Sequence, residues 1–319
     1  MNESMESRAI GIDLGGTNIK AAAVTGKGTI VAKIEWPTEA DKGADHVIKR
    51  MQEMARTVVA NAGWQWSDVC GLGIGLPGFL DHEAGVVEQL VNLHWRNVPI
   101  LDIMKKDLGI PVYFDNDANA AAIGEAWVGG GQGFEHVVAV TIGTGIGGGI
   151  IIDGRIHRGA NGMCGEIGHL VMYPQQGRRC NCGKIGCLET ISSATAILQS
   201  AVEALAAGVP TRLAEIPIDQ LTTKDVVDLA KSGDPLANEI IKRAMETLGF
   251  ALSYIGNTLN PQRFVIGGGV SKAGAILFDL IQKGFEDAAL SRVVEACKIV
   301  PATLGNDAGV IGAAKLAIF

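Results

Sequence analysis

The sequence predicts an α/β protein with a duplicated core, in which two lobes face a central cleft. Apolar strands alternate with helical segments along the 319 residues, a length suited to two domains or to one large one. The segment Ile12–Thr17 is echoed by Val140–Gly145, since in each an apolar strand runs into a Gly/Thr turn and a further apolar strand follows. Two such copies indicate two halves built on the same plan.

The first half opens with three strands separated by Gly-containing turns, and these strands are expected to pair in antiparallel order. They are Arg8–Leu14, Ile19–Val24 and Thr29–Trp36. A helix is predicted over Ala44–Ala62, because its apolar residues recur at helical spacing. The next expected elements are a buried strand (Val69–Leu76), a helix (Val98–Leu108), a strand (Pro111–Phe114) and a helix (Asp117–Val128).

The second half repeats the strand–turn–strand opening and then becomes mainly helical. Its predicted strands are Val137–Ile142, one that ends at an Asp153-Gly154 hairpin turn, Arg263–Ile266 and Lys298–Val300. Its predicted helices are Thr190–Ala207, Thr222–Lys231, Pro235–Leu259, a stretch after Ser271 that runs to about Leu290, and Asp307–Ile318. We therefore expect a small lobe of residues 1–120, joined by the closing segment 304–319, and a large lobe of residues 121–303.

Composition excludes several classes of protein. Apolar residues make up 47% and charged residues 19% of the chain, which suits a packed globule and excludes disorder. The net charge is −7 and no basic run is present, so nucleic-acid binding is not expected. Apolar runs such as Val137–Ile142 are far too short to span a bilayer. Nothing in Met1–Arg8 resembles a targeting signal, so a cytoplasmic location is expected.

One His and three Cys near the middle of the chain have the composition of a zinc site. Zinc favours four nitrogen and sulfur ligands in a tetrahedron, and this set comprises His169, Cys180, Cys182 and Cys187. A disulfide is the alternative, but thiols stay reduced in the expected compartment. With four protein ligands the ion keeps no open position, so it is expected to be structural, with Glu166 and Glu189 fixed beside it. The other cysteines, Cys70, Cys164 and Cys297, are expected to be buried free thiols.

Three Gly-rich turns follow apolar strands and are candidates for phosphate binding. They are Asp13–Asn18, Gly143–Gly149 and Gly267–Gly269. Consecutive backbone N–H groups in such turns form concave anion sites, and none of the three has the ending of a P-loop. At the end of the first strand, Asp13 is either a plain turn residue or a carboxylate that holds Mg²⁺ through water.

The sequence Asp115-Asn116-Asp117 lies where a strand ends and a helix begins. Asp117 suits the N-cap of that helix. It equally suits a general base for a hydroxyl group, with Asn116 as a hydrogen-bonding neighbour. The local sequence does not decide between these roles.

Taken together, four motifs resemble the ROK family of bacterial sugar kinases and sugar-responsive repressors. They are Asp13–Lys20, Asn116–Ala120, Gly165–His169 and the zinc segment Cys180–Glu189, and they occur in family order over nearly the whole chain. The zinc segment is most similar to that of the bacterial glucokinases of the family. The resemblance implies a ribonuclease-H-like, actin-like fold and transfer of phosphate from ATP to the C6 hydroxyl of a hexose.

The resemblance also implies a role for each matching residue. Asp117 would be the catalytic base, and the sugar hydroxyls would bind to Asn116, Asp117, Glu166, His169 and Glu189. ATP, with Mg²⁺, would bind to two phosphate segments and an adenosine segment. These contain Asp13, Gly15, Gly16, Thr17 and Lys20; Thr141, Gly143, Thr144 and Gly145; and Gly267, Gly268 and Gly269.

Several expectations rest on this resemblance alone. Glucose is the expected sugar, with N-acetylmannosamine, fructose, mannose and allose as alternatives, and polyphosphate is an alternative donor. A homodimer is expected, with a tetramer as the alternative. A family repressor would carry a DNA-binding helix-turn-helix before the first phosphate segment, where about nine residues stand here, so a regulator is the less favoured function.

Overall fold

The computed structural model describes residues 7–318, which divide into two compact units. The first unit contains the residues up to Glu135, Gly149–Gly165 and the residues from Thr303 onward. The second contains His136–Gly148 and Glu166–Ala302. The lobe boundary predicted between residues 120 and 121 lies within a helix, Asp117–Val128, and the assignment of domains stays a prediction.

The first unit is built on a five-stranded sheet. Its strands are β1 (Arg8–Leu14), β2 (Asn18–Thr25), β3 (Ile30–Pro37), β4 (Val69–Leu76) and β8 (Val112–Asn116), in the order β3-β2-β1-β4-β8. As predicted, β1, β2 and β3 pair in antiparallel order. In contrast, β1, β4 and β8 are parallel neighbours, so their carboxyl ends meet at one edge of the sheet.

Alternate residues of β1 point to opposite faces of this sheet, and each face is covered by helices. On one face Ile10 and Ile12 are fully buried in a core that includes Met51 of α1 (Ala44–Asn61). The other face packs against α10 (Ala308–Lys315). There Gly11 is required, because a Cβ on it would lie 1.9 Å from the carbonyl oxygen of Val310.

A three-stranded antiparallel sheet follows β4 and was not predicted. It contains β5 (Phe79–Asp81), β6 (Val86–Leu90) and β7 (Trp95–Val98), in that order. An Asp81 turn connects β5 to β6, because its Oδ1 accepts hydrogen bonds from the backbone N–H groups of Glu83 and Ala84. Two helices complete this unit, α2 (Ile100–Leu108), which begins after Pro99 rather than at Val98, and α3 (Asp117–Val128).

The second sheet has the same strand order as the first. Its strands are β9 (Val137–Ile142), β10 (Ile146–Ile152), β11 (Arg155–Ile156), β12 (Arg263–Gly267) and β13 (Lys298–Pro301), in the order β11-β10-β9-β12-β13. Strands β9, β12 and β13 are parallel neighbours, as β1, β4 and β8 are in the first sheet. The repeated order confirms the duplication predicted from the two Gly/Thr turns.

The helices of the second unit agree with the prediction except at two places. They are α4 (Glu189–Ser192), α5 (Ala194–Ala206), α6 (Thr223–Lys231), α7 (Pro235–Leu259), α8 (Ala275–Glu286) and α9 (Ser291–Ala296). One predicted helix divides at Ser193, which is extended (ψ 164°) and caps α5 by accepting a hydrogen bond from the N–H of Ala196. The helix predicted to run to about Leu290 ends at Glu286 as α8, and the short helix α9 that follows it was not predicted.

Two further sequence expectations concern membranes and thiols. None of the helices within residues 7–318 has the length and apolar character that crossing a bilayer requires. Cys297 is buried as expected, and burial raises the pKa of its thiol to about 11. The expectation for Cys70 was wrong, since this residue is exposed on β4, with its thiol 3.4 Å from the carbonyl oxygen of Ala317.

Candidate active site

The carboxyl edge of the first sheet brings together two of the predicted motifs. Asp13 of β1 pairs in register with Gly75 of β4, and Gly75 pairs in turn with Asp115 of β8. Adjacent strands are about 4.8 Å apart, so the phosphate-turn residue Asp13 and the start of the Asn116-Asp117 motif lie roughly 10 Å apart at one edge. A side chain larger than glycine at position 75 would press on Ala120, because its Cβ would lie 3.2 Å from that of Ala120.

The first Gly-rich turn presents an exposed backbone. The N–H of Gly15 donates to the carbonyl oxygen of Asn18 over 2.9 Å, and Thr38 holds the turn by donating its hydroxyl to the carbonyl oxygen of Gly15 over 2.7 Å. Gly16 and Thr17 are exposed at its tip. Such a turn can present N–H groups to a phosphate.

Asp13 and Lys20 lie opposite each other at the base of this turn. They form a cross-strand pair between β1 and β2, and the Lys20 ammonium donates to the carbonyl oxygen of Asn306 over 3.1 Å. Burial raises the pKa of the Asp13 carboxyl, while the positive charge of Lys20 opposes that shift. A cation beside Asp13 would favour its ionised form in the same way.

The structure assigns the cap of α3 to Asn116 rather than to Asp117. Asn116 Oδ1 accepts hydrogen bonds from the N–H groups of Ala118 (2.9 Å) and Asn119 (3.4 Å). Asp117 is therefore the first helical residue, and its Oδ1 accepts from the N–H of Ala118 over 2.9 Å. Of the two roles that the sequence left open for Asp117, the N-cap was wrong.

A cluster of polar residues behind this motif was not predicted from the sequence. It consists of His82, Asp115, Asn119 and Arg158, and Asp115 is fully buried within it. A charged residue within a buried strand was the available signal, because an isolated buried carboxylate is costly. Its partner Arg158 is 43 positions away, and no local spacing rule could identify it.

The second and third Gly-rich turns lie side by side in the second unit. Thr141 of β9 pairs in register with Gly267 of β12, so both turns leave the same edge of the second sheet. The N–H of Gly143 donates to the carbonyl oxygen of Gly145 over 3.0 Å. Gly268 has a φ of 90° and a Cβ on it would lie 2.3 Å from the carbonyl oxygen of Ile142, so only glycine fits there. The predicted phosphate and adenosine segments are thus adjacent.

The four predicted zinc ligands converge. The ligand atoms of His169, Cys180, Cys182 and Cys187 all lie within 4.8 Å of one another. The Sγ atoms of Cys182 and Cys187 are 3.6 Å apart, and Cys180 Sγ is 3.5 Å from His169 Nδ1. A disulfide requires about 2.05 Å between sulfurs, whereas thiolates that share a tetrahedral zinc ion are roughly 3.8 Å apart. The donor set and its spacing therefore fit zinc.

The thiol groups differ in their electrostatic surroundings. Burial raises the pKa of Cys180 to about 12 and also raises the pKa of Cys187. The pKa of Cys182 is lowered, chiefly by a hydrogen bond from the backbone N–H of Lys184. Without a cation the buried thiols of Cys180 and Cys187 favour the neutral form, and a bound cation would favour their thiolates.

The predicted sugar-binding residues of the second unit surround the cysteine cluster. His169 directs Nδ1 at Cys180, while its Nε2 lies 3.8 Å from Oε2 of Glu166. Glu189 has a dual contact: its Oε1 accepts from Cys180 Sγ over 3.3 Å and its Oε2 accepts from the N–H of Ile146 over 3.3 Å. Glu189 therefore connects the cysteine cluster to the start of β10, a contact that the sequence did not reveal.

Known proteins resemble this chain in sequence and in fold. The sequence model that describes the ROK family matches residues 9–319 of this chain. The chain belongs to the ROK family. A ROK family glucokinase from Streptomyces griseus, solved in complex with glucose and AMPPNP, superposes with a TM-score of 0.78 at 33% identity, covering 97% of this chain and 99% of that one. The chain thus has the duplicated, ribonuclease-H-like α/β fold of ROK sugar kinases, as the sequence motifs implied.

Enzymes and repressors both occur among the ROK relatives. The glucokinase of Halalkalibacterium halodurans is 43% identical over 306 residues, covering 95% of this chain and 92% of that enzyme. The xylose repressor of Caldicellulosiruptor bescii is 30% identical over 310 residues, which cover 97% of this chain and 77% of the repressor. The identity and the share of the relative's own length that is covered are both higher with the enzyme.

Proposed function

We propose that this chain is an ATP-dependent hexokinase that phosphorylates the C6 hydroxyl of glucose. The observation that carries the proposal is the carboxyl edge of the first sheet, where Asp117 and the exposed turn after Asp13 lie together. A base and a phosphate turn at one edge are what phosphoryl transfer to a hydroxyl requires. The similarity to the H. halodurans glucokinase over 95% of the chain supports glucose as the substrate.

In this mechanism Asp117 takes the proton from the C6 hydroxyl as the hydroxyl oxygen attacks the γ-phosphorus, and the bond between that phosphorus and ADP breaks. Asn116 caps the helix with its Oδ1 and keeps its Nδ2 group for donation, at present 3.4 Å from the carbonyl oxygen of Gly78. General-base assistance of this kind contributes about 10²–10⁴-fold to the rate. The remaining acceleration comes from positioning and from N–H groups of the Gly-rich turns around the phosphates.

Mg²⁺ would be held near the phosphates by Asp13, whose carboxyl lies at the base of the first turn. When bound, Mg²⁺ neutralises charge on the transferred phosphate and on ADP. The fit rests on Asp13 itself, a half-buried carboxyl at the end of β1 whose ionised form a nearby cation would favour. The two adjacent turns at Thr141–Gly145 and Gly267–Gly269 would bind the rest of ATP.

We propose a structural zinc ion at His169, Cys180, Cys182 and Cys187. It would fix Glu166 and Glu189, which together with His169 and Asn116 would bind the sugar hydroxyls. With His169 Nδ1 on the metal, Nε2 remains on the side of Glu166 and can donate to an oxygen.

We also propose a cytoplasmic homodimer. Helix α7 presents Phe250 and Tyr254 to solvent with 41% and 51% of their surface exposed, and their rings pack 4.9 Å apart. Exposed aromatic pairs of this kind are typical of the centres of protein interfaces. Light scattering that gives about twice the chain mass of 33.3 kDa would support the dimer, and the mass of a single chain or of four would contradict it.

The test of the proposed function is a panel assay. ATP or polyphosphate is supplied with glucose, mannose, fructose, allose or N-acetylmannosamine, and ADP release and the sugar phosphate are measured. We expect ATP and glucose to give the highest kcat/KM and glucose 6-phosphate as product. No turnover with any hexose would overturn the kinase assignment, and a higher kcat/KM for another sugar would overturn glucose.

A further inference from the structure

Asp115 is a fully buried carboxylate two positions before the proposed base Asp117. A carboxylate that is removed from water needs both an opposite charge and hydrogen-bond donors. Its two oxygens are occupied by different parts of the first unit. This division makes Asp115 a link between those parts.

Arg158 supplies the charge on one side. Its Nε donates to Oδ2 of Asp115 over 2.8 Å, and its Nη2 lies 2.7 Å from the same oxygen. The ring of His82 also approaches, with Nε2 3.9 Å from Oδ1, but burial lowers the pKa of His82. The ring is therefore neutral at neutral pH, and the compensating charge comes from the guanidinium.

The other oxygen of Asp115 holds the residues on both sides of Asp117. Oδ1 accepts from the backbone N–H of Asn116 over 2.8 Å and from Nδ2 of Asn119 over 2.8 Å. Asn116 precedes the base and Asn119 lies in the first turn of α3 that follows it. One oxygen thus fixes the end of β8 and the beginning of α3, and Asp117 lies between the two fixed points.

The loop that carries Arg158 is itself constrained. The N–H of Cys164 donates to the carbonyl oxygen of Arg158 over 3.0 Å, which closes the loop on itself. At its tip Gly162 packs on His82, since a Cβ on Gly162 would lie 3.7 Å from Cδ2 of that ring. The guanidinium therefore approaches Asp115 from a loop that is closed by its own hydrogen bond and contacts His82 at its tip.

We propose that Arg158, acting through Asp115, is a positioning residue that aligns Asp117 with the attacking sugar hydroxyl. The inference rests on the proposed kinase function. Without Arg158 the Asp115 carboxylate would become protonated or hydrated. Its hydrogen bonds from Asn116 and Asn119 would then weaken. A misplacement of about 1 Å at a reacting group costs about 10²-fold in rate.

The first test compares Arg158→Ala with Arg155→Ala. Arg155 is an exposed arginine three positions earlier on β11 and is outside the cluster, so it controls for loss of a positive charge. We expect kcat with glucose to fall about 10²-fold in Arg158→Ala, with little change in the KM for ATP, and to stay at the wild-type value in Arg155→Ala. A wild-type kcat in Arg158→Ala would overturn the proposal.

The second test separates positioning from general damage by a double-mutant cycle with Asp117→Asn. If Arg158 acts through the base, Arg158→Ala should cause no further loss of residual turnover once the base is gone. An equal fold-loss in the wild-type and Asp117→Asn backgrounds would overturn the proposal. Should Arg158→Ala fail to fold, the same cycle is run with Arg158→Lys. Lysine keeps the positive charge but lacks the planar guanidinium that places two nitrogens on one carboxylate.

Wild-type turnover with glucose, measured in parallel, distinguishes two kinds of failure. If the wild type phosphorylates no hexose, the proposed function and the positioning role both fall. If the wild type is active and the two substitutions act independently, only the positioning role falls.

Discussion

The proposed sugar-binding carboxylates Glu166 and Glu189 lie at the two ends of the stretch that carries the proposed metal ligands. The two ring nitrogens of His169 face one group each. Nδ1 lies 3.5 Å from Cys180 Sγ, and Nε2 lies 3.8 Å from Glu166 Oε2. The resemblance to the ROK family implied both a metal-binding and a sugar-binding role for His169. The sequence could not predict that Glu189 would contact Ile146, because the two residues are 43 positions apart in the chain.

Glu166→Gln should separate sugar binding from metal binding. The substitution keeps the shape but removes a charge-assisted hydrogen bond, which is worth about 1.5–3 kcal/mol. We therefore expect kcat/KM for glucose to fall by roughly 10–100-fold, with the zinc content unchanged. Kinetic assay and metal analysis of the same preparation test this. Loss of zinc in Glu166→Gln would show that Glu166 supports metal binding instead. Glu83→Gln, which changes an exposed residue, is the control.

Helices and strands with strong apolar periodicity were predictable, whereas breaks and short strands were not. Helix α7 (Pro235–Leu259) has the bounds that the sequence predicted, because Asp234 caps it and Asn260 ends it in the left-handed region. The break at Ser193 depends on the α5 cap and leaves no trace in apolar spacing. The strands β5–β7 are three to five residues long, too short for a clear alternation.

The cap of α7 makes stability depend on pH. Burial by itself raises the pKa of Asp234, but N–H groups of Ala237 and Arg212 and the Thr211 hydroxyl outweigh it, so the pKa lies below its usual value. A carboxyl with a lowered pKa stabilises the fold above its unfolded pKa of about 3.9, and this contribution is lost as pH falls through the folded value.

Asp234→Asn should therefore destabilise the protein at neutral pH and much less in acid. We expect a loss of about 1–3 kcal/mol at pH 7, and a smaller difference from the wild type below about pH 4. Urea unfolding at both pH values measures it, with the exposed Asp219→Asn as control. A difference that is the same at both pH values would contradict the cap mechanism.

The loop of residues 170–188 carries the three cysteines of the proposed zinc site, and its backbone pairs with itself in two isolated β-bridges, Val171 with Cys187 and Arg179 with Ile185. Side chains attach it to the neighbouring helices. Arg178 donates to Glu203 of α5 through Nε (3.1 Å), to the carbonyl oxygen of Thr190 (3.1 Å) and to the hydroxyl of Ser200 (2.9 Å). The metal is expected to determine the order of this loop.

Cys182→Ser should abolish zinc binding, sugar turnover and part of the stability together. Structural zinc contributes several kcal/mol to folding, which corresponds to a decrease in Tm of roughly 10 °C for a chain of this size. Metal analysis, calorimetry and kinetics on one preparation test this. Full activity without zinc would contradict the role of the loop. The matched control is Cys70→Ser, which changes an exposed cysteine outside the cluster.

At the scale of the whole molecule, the two sheets share one strand order, and in both the Gly-rich turns leave the carboxyl edge of parallel strands. The sequence predicted this plan because the turn after β1 and the turn after β9 resemble each other. It did not predict the contacts that stabilise the plan, such as Gly11 against α10 or Arg158 with Asp115. Those contacts join residues that are distant in sequence and follow only from the packed structure.

The comparison of wild type with Asp117→Asn in kcat and in glucose affinity tests the proposed mechanism most directly. Asparagine keeps an oxygen for the N–H of Ala118, so α3 should remain intact. We predict that kcat falls by about 10²–10⁴-fold, while the Kd for glucose, measured by calorimetry, changes by less than about tenfold because one hydrogen bond is altered. A kcat near that of the wild type would contradict the assignment of Asp117 as the base.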